Sequence, residues 1–231
     1  AARAAKFILE RLYDEISESE SCFNYYLQAK ARVHNANLLG AAFLCRVARI
    51  TGNASLLDPA LMAVQFSINR QNDDGSWNYG EAPSQRWVDN FHTGFNLCAL
   101  ERIGKDADIS EFEPYVILGY SYYLRNFFLK DGTPKYYHNR SYPIDIHSAA
   151  QSIITLVELA DRNSCSRDHA CNVLSWAVSN MWDRREFFYY QRHCNWTCRI
   201  PYIRWSQAWM LLALATLIED NTKIRRVVNS F

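Results

Sequence analysis

Two aspartates and two histidines stand directly before, or in the first turn of, segments with helical periodicity: Asp89, His92, Asp145 and His147. A glycosidase needs one carboxylic acid to protonate the leaving oxygen and a second carboxylate as nucleophile or base. Two histidines across a cleft can instead remove and return a proton at a sugar carbon, as epimerases require, because the imidazole pKa lies near neutrality. These residue types therefore indicate proton transfer, and both forms of it stay open.

The same four residues also have a structural interpretation. An aspartate directly before a helix is the usual N-cap, and Asn90 beside Asp89 is an equally good one. His92 and His147 occupy what their spacing predicts to be matching repeat positions, and a repeated need to hold a loop would repeat a histidine as well. Capping and catalysis can coincide in one residue.

Aromatic residues make up 14% of the chain, and many stand in polar loops where a core would not need them. Flat apolar faces with hydrogen-bonding tips suit sugar rings, although contacts between helices are the structural alternative for each ring. The stacking candidates are Trp77, Trp87, Tyr137, Tyr190 and Trp205. Arg204, Gln207 and His34 are further candidates for ligand binding, and a planar guanidinium suits a carboxylate or phosphate.

The elements that must position these residues are helices, because apolar residues recur with the helical period along the whole chain. The pattern predicts helices at 2–17, 35–51, 55–71, 91–104, 111–129, 146–161, 166–183 and 205–219. Gly52 and Gly104 are expected to end helices. Ser55, Ser110 and Ser164 are expected to cap the helices that follow. The short turns between these helices predict helical hairpins.

Longer loops separate the hairpins and share a pattern, in which an aromatic doublet or an Asp-Gly turn is followed by Asp or His before a helix. Measured from His34 to His92, His147 and Trp205, the repeat is 58 (92 − 34), 55 (147 − 92) and 58 (205 − 147) residues long. A near-constant period of this size, one helical pair plus a loop, is typical of repeat architectures. The aromatic doublets predict short extended arms or hairpin strands.

These features predict an all-α fold of the α/α toroid type, in which the starts of the inner helices converge on one cleft, with short β-hairpin arms in the loops. About four hairpins fit in the 231 residues, so we expect a single domain, 1–231, that forms an incomplete ring and is the C-terminal part of a longer chain.

Several strings in the loops resemble a known family: 71–77 (QNDDGSW), 87–97 (WVDNFHTGFNL), 142–151 (YPIDIHSAAQ) and 204–210 (RWSQAWM). They are similar to bacterial proteins encoded in exopolysaccharide gene clusters, called polysaccharide biosynthesis proteins and placed with the six-hairpin glycosidase-like toroids. The resemblance runs from about residue 34 to residue 219. It implies the toroid fold and a role in bacterial polysaccharide metabolism, but no particular reaction.

Composition narrows the partners. The formal net charge is +1, so no basic field favours nucleic acid, and the one basic cluster, Lys223, Arg225 and Arg226, is typical of a solvated helix end. No apolar run reaches membrane-spanning length. Seven cysteines without metal-ligand spacing predict a reduced, cytoplasmic setting, in which Cys45 and Cys98 are buried apolar residues. We expect no metal and no cofactor.

The sequence thus predicts a protein that binds or modifies carbohydrate, either a glycoside hydrolase or a sugar epimerase, with a saccharide or nucleotide-sugar ligand. The alternative is a non-catalytic scaffold or binding module of a polysaccharide assembly complex, whose incomplete ring would be covered by a protein partner or a second copy. A relative of the terpenoid cyclases is a third possibility, which the lack of their aspartate-rich strings disfavours.

Overall fold

The computed structural model describes residues 1–27 and 30–228, with the backbone alone for residues 222–228. The predicted basic cluster Lys223, Arg225 and Arg226 therefore lies outside the described side chains. The chain forms two compact units. The first comprises Ala1–Val88 and Phe95–Tyr123, and the second comprises Asp89–Gly94 and the chain from Leu124 onward.

The described chain is mainly helical, with α1 (Ala2–Arg11), α2 (His34–Thr51), α3 (Leu57–Ile68), α4 (Asn90–Ala107), α5 (Glu113–Asn126), α6 (Ile146–Glu158), α7 (Ser166–Met181) and α8 (Ala208–Val228). Its strands are short: β1 (Tyr13–Glu15), β2 (Ser21–Phe23), β3 (Ile144–Asp145), β4 (Trp182–Asp183), β5 (Phe187–Phe188), β6 (Gln191–Arg192) and β7 (Thr197–Cys198). The all-α class is thus confirmed. Within the described part of the chain, no helix is both long and apolar enough to cross a membrane.

In the first unit α2 and α3 pack as a helical hairpin. Gly52 ends α2 with φ of 70°, a left-handed conformation that glycine adopts without strain, so this predicted helix end is confirmed. Leu38, Leu44 and Phe66 are completely buried between the two helices and their neighbours. Burial of each such side chain contributes about 1.5–3 kcal/mol relative to exposure, and this keeps the start of α2 in a fixed place.

In the second unit α6 is the central helix and packs against both α7 and α8. Its apolar residues are buried, but so are four polar ones on the same helix, Ser148, Gln151, Ser152 and Thr155. The Gln151 amide donates to the Thr155 hydroxyl at 3.1 Å, and the Ser152 hydroxyl bonds Asn90 Oδ1 at 3.1 Å. The antiparallel strands β3, β6 and β7 form a small sheet at the start of α6. The strands β6 and β7 lie in the loop between α7 and α8, which confirms the hairpin strands predicted there.

The starts of three helices share one construction. The first backbone N–H of the helix donates to the carbonyl of a tyrosine in the next loop: His34 to Tyr79 at 3.2 Å, Asn90 to Tyr136 at 2.8 Å and Ile146 to Tyr190 at 3.0 Å. The helices α2, α4 and α6 begin 56 residues apart (90 − 34 and 146 − 90). The repeat is therefore confirmed, but its register differs from the histidine spacing.

In this register Asp89 and Asp145 are equivalent, because each directly precedes its helix, whereas His92 and His147 are not equivalent. His92 is the third residue of α4 and His147 is the second residue of α6. The interpretation that the two histidines occupy matching positions is therefore wrong. The equivalent of His147 in α4 is Phe91, one residue after the helix start.

Some predicted helix ends differ from the observed ones. Residues 13–15, predicted as helical, form β1, which pairs with β2. Gly104 lies inside α4, and the chain turns instead at Asp108, with φ of 56°. Ser55 lies within a short 3-10 turn whose cap is the Asn53 side chain, and Cys165, not Ser164, precedes α7. Both Asn53 and Asn163 accept backbone N–H groups two residues on, as short polar side chains do in turns. Cys45 and Cys98 are buried, as predicted.

Candidate functional site

The Asp145 carboxyl group accepts three hydrogen bonds at the start of α6. It caps the helix, because Oδ1 accepts the backbone N–H of His147 at 2.8 Å. Its other oxygen, Oδ2, accepts from the Gln191 amide at 2.7 Å, and the Tyr190 hydroxyl donates to the same carboxylate. Asp145 and Gln191 are also backbone neighbours across β3 and β6, so the small sheet fixes this contact.

Burial raises the pKa of Asp145 from 3.8 to about 6, even though three donors favour its ionised form. The nearby charge of Asp89 raises this pKa further. Desolvation therefore outweighs the hydrogen bonds, which is the arrangement that lets a carboxylic acid hold a proton near neutral pH. The predicted cap and the predicted titrating group are one residue.

Asp89 and His92 form a pair at the start of α4. Asp89 Oδ1 accepts the backbone N–H of His92 at 3.0 Å, and Oδ2 lies 2.7 Å from His92 Nδ1. The Asp89 side chain is fully buried, whereas that of His92 is 21% exposed. With Asp89 ionised, Nδ1 carries the hydrogen that it donates, and Nε2 then carries the lone pair. This is the geometry in which a carboxylate orients a histidine base.

His147 lies in a column of aromatic rings. Its imidazole stacks on Phe91 at 4.4 Å and 16°, and on Trp209 at 4.3 Å and 24°. Burial lowers the pKa of His147 from 6.5 to about 3, and the charge of His92 lowers it further. The ring is therefore neutral at physiological pH.

Two tyrosines complete the polar surroundings of the aspartates. Burial raises the pKa of Tyr136 well above its ordinary value of 10.0, and the Asp89 and Asp145 charges raise it further. Burial likewise raises the pKa of Tyr190 to about 12. Both phenols therefore keep their hydrogens, and the Tyr190 hydroxyl donates to the Asp145 carboxylate. The backbones of Tyr137 and Asp89 form an isolated antiparallel β-bridge.

A π-helical turn, Ile203–Gln207, precedes α8 and displays aromatic and basic side chains. Trp205 is 49% exposed and Tyr202 is 38% exposed, and both rings contact Tyr190. Arg204 is exposed and forms no ion pair with any described residue. Gln207 instead bonds the Phe188 backbone with both halves of its amide, at 3.0 and 2.7 Å, so its contacts are those of a structural residue.

The remaining candidates lie in the first unit. His34 is buried, with Nδ1 3.1 Å from Ser67 Oγ and Nε2 3.1 Å from Glu81. Trp77 is only 1% exposed, and its indole N–H donates to the Ser67 carbonyl at 2.9 Å, so neither face is open to a ligand in this structure. Trp87 is 36% exposed and stacks on Tyr79 at 4.7 Å.

Nine of the sequence candidates lie in the second unit: Asp89, His92, Asp145, His147, Tyr137, Tyr190, Arg204, Trp205 and Gln207. The first four of these affect one another's contacts or pKa values. Sequence reasoning missed Phe91, Tyr136, Gln191 and Trp209. The signal for Tyr136 and Gln191 was their place in or directly after an aromatic doublet, but nothing in the sequence marked the stacking of Trp209 on His147.

No protein-family model and no curated protein sequence matches the chain. Solved structures do match its fold. An unsaturated glucuronyl hydrolase specific for heparin is 13% identical, with a TM-score of 0.67 over 96% of this chain and 67% of that one. A possible member of the GH105 family from Salmonella enterica is 8% identical, with a TM-score of 0.73 over 95% and 65% of the two chains. Cellobiose 2-epimerase from Bacillus thermoamylovorans is 12% identical, with a TM-score of 0.67 over 96% and 64%.

These matches confirm the predicted fold class, an α/α toroid. At such low identities they show the fold alone. The chain spans 64 to 67% of the length of the three structures just named.

Proposed function

We propose that the chain belongs to an enzyme that hydrolyses a glycosidic bond in a saccharide. The observation that carries this proposal is the buried Asp145 carboxyl, with a pKa of about 6, beside a second buried aspartate that is paired with a histidine. The resemblance of the loop sequences to exopolysaccharide-cluster proteins favours a substrate from bacterial polysaccharide metabolism. Hydrolases and an epimerase acting on sugars share the fold, which supports the same substrate class.

In the proposed reaction Asp145 is the general acid. With its pKa of about 6, roughly a tenth of the Asp145 carboxyls are protonated at pH 7. Asp145 gives this proton to the glycosidic oxygen as the bond from that oxygen to the anomeric carbon breaks. The Tyr190 and Gln191 donors then stabilise the carboxylate that remains.

Asp89 and His92 supply the base. A water molecule attacks the anomeric carbon and passes a proton to His92 Nε2, while Asp89 stabilises the imidazolium through Nδ1. The proton taken from water balances the proton lost by Asp145, so the enzyme returns to its starting state when the two groups exchange protons with solvent. Tyr136 keeps its hydrogen next to both aspartates and can donate to a sugar hydroxyl.

Binding would rest on the exposed aromatic and basic groups of the second unit. Trp205 offers a half-exposed indole beside Tyr190, whose hydroxyl bonds the acid. Arg204, next to Trp205 on the π-helical turn, suits a carboxylate on the sugar. Tyr137 offers a partly exposed ring, with Arg140 4.2 Å above it.

Epimerisation by two histidines is the less favoured reaction. It needs a pair of bases that titrate near neutrality, and the pKa of His147 is about 3 because its ring is held between Phe91 and Trp209. His147 therefore cannot accept a proton at physiological pH. The Asp145 carboxyl group, and not a second imidazole, is therefore the favoured proton donor.

The test is release of reducing sugar from a panel of bacterial oligosaccharides, with and without uronic acids. Asp145→Asn and Asp89→Asn should each lower turnover by roughly 10²- to 10⁴-fold with folding intact, because each removes a proton-transfer group. Asp183→Asn is the matched control, since Asp183 lies in the same unit but pairs with Arg185 at 3.0 Å. Full activity in both site variants would refute the assignment, and conversion to an epimer without bond cleavage would favour the epimerase.

A further inference from the structure

The hairpin formed by β6 and β7 connects the acid to an exposed surface. At its base, Gln191 pairs with Cys198 and Arg192 pairs with Thr197. The ladder extends by one more pair, because the His193 N–H donates to the Trp196 carbonyl at 2.8 Å. The tip is therefore a short, hydrogen-bonded turn at 193–196 rather than an irregular loop.

Trp196 presents a flat indole ring at this tip. Its side chain is 58% exposed, which makes it the most exposed tryptophan among the described residues. One face is covered by the His193 imidazole at 3.9 Å and 9°, a nearly parallel stack. The histidine therefore fixes the ring orientation, and the opposite face is displayed to solvent. An indole held in this way can accept a planar apolar surface without losing side-chain entropy.

Trp196 lies on the face of the hairpin that points toward the acid. Side chains two residues apart on a strand point to the same face, so His193 shares the face of Gln191. The Gln191 amide bonds Asp145, and the ring of Trp196 stacks on that of His193. Gln191 and His193 are two residue steps apart on the strand, roughly 7 Å along the hairpin. A ligand that reaches both the carboxyl and the indole must therefore be longer than one sugar ring.

We propose that Trp196 is a stacking platform for a second sugar residue, and that the substrate is an oligosaccharide or polysaccharide rather than a single sugar. The apolar C–H face of a pyranose would lie on the exposed face of Trp196, while Asn195, exposed at the tip of this hairpin, would bond its hydroxyls. This inference rests on the proposed hydrolysis at Asp145 and adds the length of the ligand.

A neighbouring tryptophan provides a matched control. Trp182, at the start of β4, is 40% exposed but meets the ring of Phe188 edge to face, at 4.7 Å and 65°. It lies on a different hairpin, β4 and β5, which has no hydrogen bond to Asp145 among the described residues. Loss of Trp182 removes a similar exposed surface without touching the proposed platform.

The experiment measures binding of mono-, di-, tetra- and hexasaccharides to the inactive Asp145→Asn chain by saturation-transfer NMR and calorimetry. Trp196→Ala should weaken the longer saccharides by roughly tenfold, the loss of one stacked ring, and leave the monosaccharide unchanged. Trp196→Tyr should restore most of the affinity, because it keeps a flat ring. Trp182→Ala should bind like the parent chain.

Equal losses for all saccharide lengths, or a loss in Trp182→Ala alone, would overturn the platform. Failure of the proposed hydrolysis is a separate result, because it would be seen as undiminished turnover in Asp145→Asn. Chain-length-dependent binding through Trp196 in a chain without turnover would keep the platform and refute the enzyme. Turnover that is lost in Asp145→Asn but equal in Trp196→Ala on all lengths would keep the enzyme and refute the platform.

Discussion

The starts of α2 and α6 are equivalent positions in the repeat, yet they hold acids in opposite ways. At α2, Glu81 bonds the buried His34 and lies near Arg70, and its side chain is 39% exposed. The hydrogen bond from His34 lowers the pKa of Glu81 below its ordinary value of 4.5. At α6, Asp145 accepts three hydrogen bonds but is 3% exposed, and burial raises its pKa to about 6.

The number of hydrogen-bond partners therefore does not decide the protonation state of these two carboxyl groups. Glu81 keeps contact with water and has two cationic or polar partners, so its ionised form is favoured. Asp145 has lost its water and has the Asp89 charge nearby, so its neutral form persists to a higher pH than in water despite more donors. The start of α2 thus holds a structural His34–Glu81 pair in the first unit, and the start of α6 holds a proton-holding acid in the second.

The largest expected effect is on the pH dependence of the free energy of unfolding, to which Asp145 and His147 contribute with opposite signs. In the unfolded chain their pKa values are 3.8 and 6.5, and in the folded chain they are about 6 and about 3. Between about pH 4 and 6 the folded chain holds one proton on Asp145, and the unfolded chain holds one on His147. The two contributions to the pH dependence of stability therefore cancel in the parent protein.

Single variants should expose each contribution. In Asp145→Asn the unfolded chain binds more protons, so the free energy of unfolding should rise by about 3 kcal/mol between about pH 4 and 6. In His147→Gln the folded chain binds more protons, so it should fall by a similar amount over the same interval. Urea unfolding at several pH values measures both slopes. Parallel profiles in the parent and both variants would contradict the two pKa shifts.

The second effect tests the structural role of the His34–Glu81 pair at the start of α2. His34→Ala removes the bonds to Ser67 and Glu81 and leaves a cavity beside Phe66, so the free energy of unfolding should fall by about 2–3 kcal/mol. Turnover per folded molecule should stay within a factor of about two, because His34 has no proton-transfer role in this account.

Asn35→Ala is the matched control on the same helix. Asn35 Oδ1 is buried but accepts no hydrogen bond from any described residue, so its removal should cost much less stability than that of His34. If His34→Ala lost turnover without losing stability, the reactive site would include the start of α2 and the comparison would fail.

Much of this comparison could be predicted from the sequence. Helical periodicity identified the helices, the loop pattern identified the repeat, and the position of Asp145 before α6 predicted its capping bond. The pKa shifts could not be predicted, because they depend on which partners burial supplies. Gln191 and Tyr190 reach Asp145 only through the pairing of β3 with β6, across 46 residues of chain.

The register of the repeat shows why spacing alone misled. His34, His92 and His147 are the first, third and second residues of their helices, so they are 58 and 55 residues apart although the helix starts are 56 residues apart. The sequence could not show that a π-helical turn, Ile203–Gln207, would precede α8. Nor could it place Trp77 in the core, because an aromatic residue in a polar loop is compatible with either position.

The most direct test of the central claim is a carboxyl-carbon NMR titration of the parent protein, with the Asp145 and Glu81 signals assigned from Asp145→Asn and Glu81→Gln. We expect Asp145 to titrate with a midpoint near 6 and Glu81 to titrate below its ordinary 4.5. Titration of Asp145 at or below 3.8 would mean that its three donors outweigh burial. In that case Asp145 could not serve as the acid at neutral pH, and the proposed reaction would be wrong.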